Sequence, residues 1–263
     1  MTSDRVSGGD ATGDGVGGEQ VSGEDLSGRR VLVAGASSGM GRATALAAAR
    51  AGARLVLFAR RADALTKLAE EIGVAGGAAL VVAGDATDAD AAGRAVDVAV
   101  REYGGLDVLV NSVGTNVRER SLARLDPAGW RELLSTNLDA AYVLTQAVLP
   151  TFRAQGDGLL VHISSSAAKR PDASGVGYQA SKAGVAALAH ATMEEERANG
   201  IRVSVLFPGF TDTPMVERRP VAPTPEQLAA ALAPDDVARM CLAVMALPGR
   251  AYVPELLLYP SRP

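Results

Sequence analysis

Residues 31–41 read Val31-Leu32-Val33-Ala34-Gly35-Ala36-Ser37-Ser38-Gly39-Met40-Gly41. A short apolar run passes through a turn with three glycines into an alanine-rich stretch that continues to Ala51, a strand–turn–helix pattern. Glycines at such a turn allow a tight bend and let backbone N–H groups approach a pyrophosphate at the helix N-terminus. The spacing is Gly-x-x-x-Gly-x-Gly, not the Gly-x-Gly-x-x-Gly of the long-chain dinucleotide fingerprint. Many strand–helix turns use glycine for geometry alone. The place of this one, directly after the first strand, is what points to a nucleotide.

Outward from the turn the alternation repeats. Apolar runs at 55–58, 79–82, 108–110, 159–163, 203–206 and 256–258 read as strands. Helical patterns fall between them at 62–72, 88–103 and 138–153, and from the segment carrying Tyr178 to about 199. Asp126-Pro127, a cap residue with proline at the first helical position, opens a further helix, so two long helices are expected in succession before the fifth strand. Strands that are continuously apolar and separated by helices predict a parallel sheet covered on both faces. The fold class is therefore α/β, a doubly wound (Rossmann-type) parallel sheet of about seven strands. Residues 1–27, rich in Gly, Ser and acidic side chains, cannot bury enough apolar surface to offset their ordering entropy and read as a disordered tail. Residues 28–263 read as a single catalytic domain, with a proline-bearing lid segment around 210–233.

Composition narrows the function. At 263 residues, 48% hydrophobic and 21% charged, the chain suits one soluble α/β domain. A net charge of −4 and a pI near 5.3 carry no footprint for nucleic acid or an anionic membrane. The single Cys241 excludes an internal disulfide and a cysteine-based metal cage, and its apolar surroundings make it a core residue. His162 and His190 show no metal-ligand spacing and read as structural, so no metal is expected. With no secretory signal and no apolar run near ~18 residues, the expected location is cytoplasmic. Glu194-Glu195-Glu196 reads as a solvated helix face and Trp130 as a packing anchor.

Two features carry chemistry. Tyr178-Gln179-Ala180-Ser181-Lys182 sets a phenol and an ammonium on one helix face, in a chain whose only lysines are Lys67, Lys169 and Lys182. Bringing a tyrosine from a pKa of about 10 to about 7 takes roughly 4 kcal/mol. A cation about 4 Å away, at an effective dielectric of about 20, supplies roughly that. At the end of the second strand stands Ala59-Arg60-Arg61, with no carboxylate to repel a 2′-phosphate. Arg60 can bind such a phosphate bidentately, which favours NADP(H) over NAD(H).

Jointly these residues resemble the short-chain dehydrogenase/reductase superfamily, over essentially all of residues 28–260. Gly35, Gly39 and Gly41 match its Thr-Gly-x-x-x-Gly-x-Gly turn, with Ala34 in place of threonine. Asp85-Ala86 is similar to its adenine-binding aspartate after the third strand. Asn111-Ser112-Val113-Gly114 stands where the family has Asn-Asn-Ala-Gly, keeping the outer Asn111 and Gly114. Asn137, at the opening of the fifth helix, corresponds to the catalytic asparagine. Pro208, Gly209, Thr211 and Thr213 match the loop that holds the nicotinamide carboxamide. The catalytic serine is one of Ser164, Ser165 and Ser166, and the family spacing of thirteen residues before the tyrosine selects Ser165.

The resemblance implies a site of Asn137, Ser165, Tyr178 and Lys182. Its cofactor contacts would come from Gly35, Ser37, Ser38, Gly39, Met40, Gly41, Arg60, Arg61, Asp85, Ala86, Asn111, Gly114, Tyr178, Lys182, Pro208, Gly209, Thr211 and Thr213. It further implies a homotetramer or homodimer and a small carbonyl or alcohol substrate. The C-terminal Ala251-Tyr252-Val253-Pro254-Glu255-Leu256 lacks the Thr-Gly-x-x-x-x-Val-Asp-Gly-Gly segment frequent in acyl-carrier-protein ketoreductases. That lowers a fatty-acid or polyketide ketoreductase without removing it. An epimerase without net redox change and a non-catalytic dinucleotide sensor are the other readings. Arg118, Arg120, Arg218 and Arg219 read as solvated loop residues or as a clamp for an anionic substrate.

Overall fold

The computed structural model describes residues 24–262. Seven parallel strands form one sheet in the order β3-β2-β1-β4-β5-β6-β7. They are β1 (Arg30–Ala34), β2 (Arg54–Ala59), β3 (Ala78–Ala83), β4 (Val108–Asn111), β5 (Gly158–Ile163), β6 (Ile201–Pro208) and β7 (Glu255–Leu258). The doubly wound topology expected from the alternation is present, and the strand order reverses between β1 and β4.

Central strands β4, β5 and β6 are buried at every position and mostly apolar because both of their faces are covered. Leu32 and Ala34 of β1 join one core with α3 (Ala89–Tyr103), α5 (Ala140–Gln155) and α6 (Val176–Glu196). Val31 and Val33 join the other with α1 (Gly39–Arg50), α2 (Ala62–Val74) and α8 (Pro234–Met245). β3 at the sheet edge is only partly covered, and its side chains alternate between exposed and half-buried. Cys241 of α8 is fully buried in the second core, where burial pushes its thiol up to about 12.

Four expectations are corrected. Packing begins before Gly28: Leu26 is 1% exposed, and its N–H donates to the Ala51 carbonyl at 2.8 Å. The rest of the proposed tail, residues 1–23, lies outside the described residues. The segment opened by Asp126-Pro127 is short. α4 (Pro127–Leu134), capped by Asp126 Oδ1 accepting from the Gly129 N–H at 2.7 Å, runs through a π turn (Ser135–Asp139) directly into α5. Asn137 therefore sits inside a widened turn, not at a helix start. Glu196 is not solvated: its side chain is 5% exposed and Arg153 on α5 holds both carboxylate oxygens.

One buried polar pair stiffens the sheet beneath the site. Asn111 and His162 are register partners on β4 and β5. Asn111 Nδ2 lies 3.2 Å from His162 Nδ1, and Thr145 Oγ1 lies 3.4 Å from Nε2. With Nδ2 donating to Nδ1, the free Asn111 Oδ1 accepts from the Val113 N–H at 3.0 Å and sets the course of the chain leaving β4. His162 is fully buried, and burial, aided by the Lys182 charge, pushes its imidazole down to about 4. The unfolded chain takes up this proton near pH 6.5, while the folded chain resists it until about pH 4. Stability is thus lost as pH falls from about 6.5 to 4. In urea titrations His162→Gln should remove a loss on the order of 3 kcal/mol across that window. An unchanged pH slope in the variant would contradict the buried neutral imidazole.

Candidate active site

The glycine turn joins β1 to α1 at the point where the strand order reverses. Gly35 has φ +79°, and a Cβ there would lie 2.8 Å from the carbonyl carbon and oxygen of Ser112. A Cβ on Gly41 would lie 2.3 Å from the Gly35 carbonyl oxygen. Neither position accepts a side chain, because the turn folds back onto itself and onto the segment after β4. Ser38, the residue before α1, is extended and makes no side-chain cap. The first-turn N–H groups of α1 therefore remain available to an anion. Thr213 and Pro214 stand over the turn, 3.4 Å and 4.0 Å from where a Cβ of Gly39 would be.

This turn forms one wall of a cleft of about 440 Å³. Ser37, Met40, Arg60, Arg61, Asp85, Ala86, Gly114 and Thr213 line it, with Gly35, Ser38 and Gly39. Arg61 donates to the Ser37 carbonyl and hydroxyl, both at 3.1 Å, placing its guanidinium on the phosphate turn. Arg60 is 71% exposed and approaches Asp85 Oδ2 at 4.0 Å. Asp85 Oδ1 accepts from the backbone N–H and hydroxyl of Thr87, each at 2.9 Å, and the Thr87 backbone bond leads in holding the carboxyl below its usual range. Other expected contacts are not cleft walls. Asn111 is buried beneath the floor, and Gly41 packs on Gly35. Thr211 is buried and donates to the Gly209 carbonyl at 3.0 Å, beyond Pro208 at the end of β6.

Around Gly114 the cleft meets a buried polar cluster. Lys182 is 4% exposed, and its Nζ donates to the Ile163 carbonyl at 3.0 Å. Burial lowers its pKa to about 8. A Cβ on Gly114 would lie 3.0 Å from that Nζ and 3.5 Å from Asn137 Oδ1, so the lysine and the asparagine converge on the glycine. Asn137 Oδ1 accepts from the Thr115 N–H at 2.7 Å. Its Nδ2 donates to the Thr115 carbonyl at 3.1 Å and to Ser181 Oγ at 2.9 Å. The π turn directs this side chain sideways, into the gap between the β4 loop and α6. Thr115 and Ser181 were not anticipated; the adjacency of Ser181 to Lys182 was the only signal.

The three candidate serines differ. Ser164 is buried and its hydroxyl is committed to the Lys182 carbonyl at 2.8 Å. Ser166 begins a 3₁₀ turn, Ser166–Ala168. Ser165 accepts from the Ala167 N–H at 3.2 Å and, of the three, is the one that opposes the burial-driven rise in the Tyr178 pKa. That phenol is held above its usual value, first by burial, with Ser165, Arg120 and Arg219 opposing the shift. Lys182 Nζ is 6.0 Å from the Tyr178 ring centroid and hydrogen-bonds to the Ile163 carbonyl. Arg120 and Arg219 contribute further positive charge around the phenol.

Those arginines separate clearly. Arg118 is exposed. Arg218 donates to Thr115 Oγ1 at 2.8 Å and to the Asn116 carbonyl at 3.3 Å. Arg219 stacks on Phe210, its Cζ 4.1 Å from the ring centroid, and Arg120 is buried. Segment 210–233 is pinned at both ends by one bridge: Leu232 N–H donates to the Phe210 carbonyl at 2.9 Å, and Asp212 N–H to the Leu232 carbonyl at 2.8 Å. Between them lie a 3₁₀ turn (Pro214–Arg218) and α7 (Pro225–Ala230). Among the described residues no helix could cross a membrane, and no group of three or more His, Cys, Asp or Glu could hold a metal.

Known proteins resemble this chain in sequence and fold. A family model described as short chain dehydrogenase matches residues 29–222. The cis-4-hydroxycyclohexanecarboxylate dehydrogenase of Sinomonas cyclohexanicum is 37% identical over 194 residues, 73% of this chain and 77% of that protein. A 3-oxoacyl-acyl-carrier-protein reductase of Thermotoga maritima is 35% identical over 196 residues, 73% and 78% of the two chains. A metagenomic short-chain oxidoreductase solved in complex with NADP superposes with a TM-score of 0.77 at 34% identity, covering 90% of this chain and 99% of its own. The glycine turn, the sheet order and these matches converge: this chain belongs to the short-chain dehydrogenase family and is an oxidoreductase of alcohol and carbonyl groups.

Proposed function

We propose that the protein is an NADP(H)-dependent oxidoreductase that interconverts a carbonyl and a secondary alcohol, using Asn137, Ser165, Tyr178 and Lys182. The observation that carries this reading is the convergence of the buried Lys182 ammonium and Asn137 on Gly114, a wall of the glycine-turn cleft, with Tyr178 one helical turn before the lysine. The cleft suits a dinucleotide: a Cβ would fill the turn at Gly35 and Gly41, the α1 N-terminus is uncapped, and Arg61 rests on the turn. The structural relative named for its NADP complex supports the phosphorylated form.

When bound, the nicotinamide supplies or takes the hydride. Tyr178 donates its proton to the carbonyl oxygen as charge develops there, and burial favours the protonated phenol that this step requires. Ser165 donates a hydrogen bond to the same oxygen, a contribution of about 3–4 kcal/mol for a preorganised donor. Lys182 would hold the ribose hydroxyls of a bound nucleotide, and its positive charge would favour the phenolate left after proton transfer. Asn137 holds the Thr115 backbone in place and keeps its oxygen close to the lysine, where it supports a water path from Lys182 outward. The relatives carry names for both an alicyclic hydroxy acid and an acyl-carrier-protein substrate, so their names alone select neither for this chain. A cytoplasmic homo-oligomer completes the reading, supported by the exposed Ala180, Ala183, Ala187 and Ala191 along α6.

Two measurements test it. Tyr178→Phe should lower NADPH-dependent carbonyl reduction about 10²–10⁴-fold. Its NADPH affinity, read by fluorescence titration, should stay within a few-fold of wild type, and near-normal turnover would falsify the acid assignment. Replacing Arg60 and Arg61 by alanine should weaken NADPH binding about 10–100-fold and leave NADH binding little changed, since only the 2′-phosphate loses its charged donors. Equal weakening of both nucleotides would remove the arginines from phosphate selection.

A further inference from the structure

Arg120 is a buried cation without a counter-ion. Its residue is 8% exposed, Nε donates to the Val117 carbonyl at 3.0 Å and Nη2 to the Arg218 carbonyl at 2.5 Å. Both acceptors are neutral. Among the described residues no carboxylate comes within ion-pair distance of Arg120 or of Arg219. Buried guanidiniums are ordinarily paired, because an uncompensated charge away from water is costly.

The site is held firmly. Gly175 has φ +92°, and a Cβ there would lie 2.5 Å from the Arg120 carbonyl oxygen and 2.6 Å from its Cβ. Asn116 Nδ2 donates to the Ser174 carbonyl at 3.0 Å. The loop bearing Arg120 is thereby fastened to the segment that leads into Tyr178. Arg219, on segment 210–233, is braced on Phe210. The two like charges repel, and with burial this lowers the pKa of Arg120, while Asp172 is the one carboxylate whose charge is felt there. Arg120 packs on Gly175, three residues before Tyr178, and its Nη2 holds the carbonyl of Arg218, next to Arg219, so both arginines border the segment that carries the phenol, and both oppose the burial-driven rise in its pKa.

We propose that Arg120 and Arg219 bind a carboxylate carried by the substrate, so that the enzyme acts on oxo- and hydroxy-carboxylates in preference to neutral carbonyl compounds. This rests on the carbonyl-reductase reading above. The donor left on Arg120, Nη1, and the fork of Arg219 match the two oxygens of a single carboxylate. The neutralising group that the chain itself does not provide would come with the substrate.

The test compares kcat/KM with NADPH for levulinate, 3-acetylbenzoate and 4-acetylbenzoate against their amides, and measures benzoate and benzamide binding to the NADP⁺-loaded protein by calorimetry. Wild type should favour at least one acid over its amide by about 10-fold or more, and bind benzoate but not benzamide. Arg120→Gln and Arg219→Gln should each cut the acid-to-amide ratio about 10-fold, the loss of one charge-assisted hydrogen bond. Because Arg120 also holds the Arg218 carbonyl, Arg219→Gln decides the matter if the Arg120 variant misfolds. Acids and amides reduced equally, with ratios unmoved in Arg219→Gln, overturn the carboxylate site and leave the carbonyl-reductase reading standing. Benzoate binding that is lost in Arg219→Gln, with no carbonyl compound consuming NADPH, keeps the anion site and sinks the redox reading. Neither binding nor turnover overturns both.

Discussion

A lysine ammonium at 4% exposure, with the Ile163 carbonyl as its hydrogen-bond acceptor, is the constraint around which this site is arranged. Burying such a charge costs several kcal/mol after relaxation, so the packing of α6 on the sheet must bear it. Several neighbours follow from it. Glycine at 114 leaves the ammonium room, since a Cβ there would lie 3.0 Å from Nζ. Ser164 is fixed by donating to the Lys182 carbonyl, which leaves its neighbour Ser165 to face the phenol. His162, beneath, must stay neutral, because burial and the nearby ammonium both disfavour its charged form.

Two sets of cations serve the two ends of the site. Lys182, lowered to about 8 by burial, lies toward the floor, next to Gly114 and Asn137. Arg120 and Arg219 lie on the side of segment 210–233, and their fields reach the Tyr178 phenol. Burial alone would keep that phenol strongly protonated. The arginines and Ser165 oppose burial, which brings proton donation and phenolate formation closer in energy. Arg120 also ties segment 210–233 to the loop after β4 through the Arg218 carbonyl.

Much of the framework was legible because it depends on local rules. Continuous apolar runs mark parallel strands covered on both faces, and the glycines of residues 35–41 mark a turn that meets its own backbone. Asp126-Pro127 named a helix start correctly because capping is a contact between near neighbours in the chain. The helix length after it was misread, since a π turn joins α4 to α5 without any break in the apolar pattern. Glu196 was misread for a different reason: its partner Arg153 is 43 residues away, and a run of three glutamates looks solvated unless the facing helix is known.

By itself the sequence determined the doubly wound sheet, the nucleotide turn and the helical spacing that sets Tyr178 and Lys182 on one face, all consequences of short-range periodicity and backbone sterics. Tertiary structure decided what those groups feel. Helix geometry placed a cation four residues from the phenol; the lysine's hydrogen bond goes to Ile163, and further positive charge comes from Arg120 and Arg219, on segments distant in the chain. Whether an arginine is solvated or buried without a counter-ion depends on which loop closes over it. That is a property of long-range packing, and no local pattern in residues 116–120 or 218–219 encodes it.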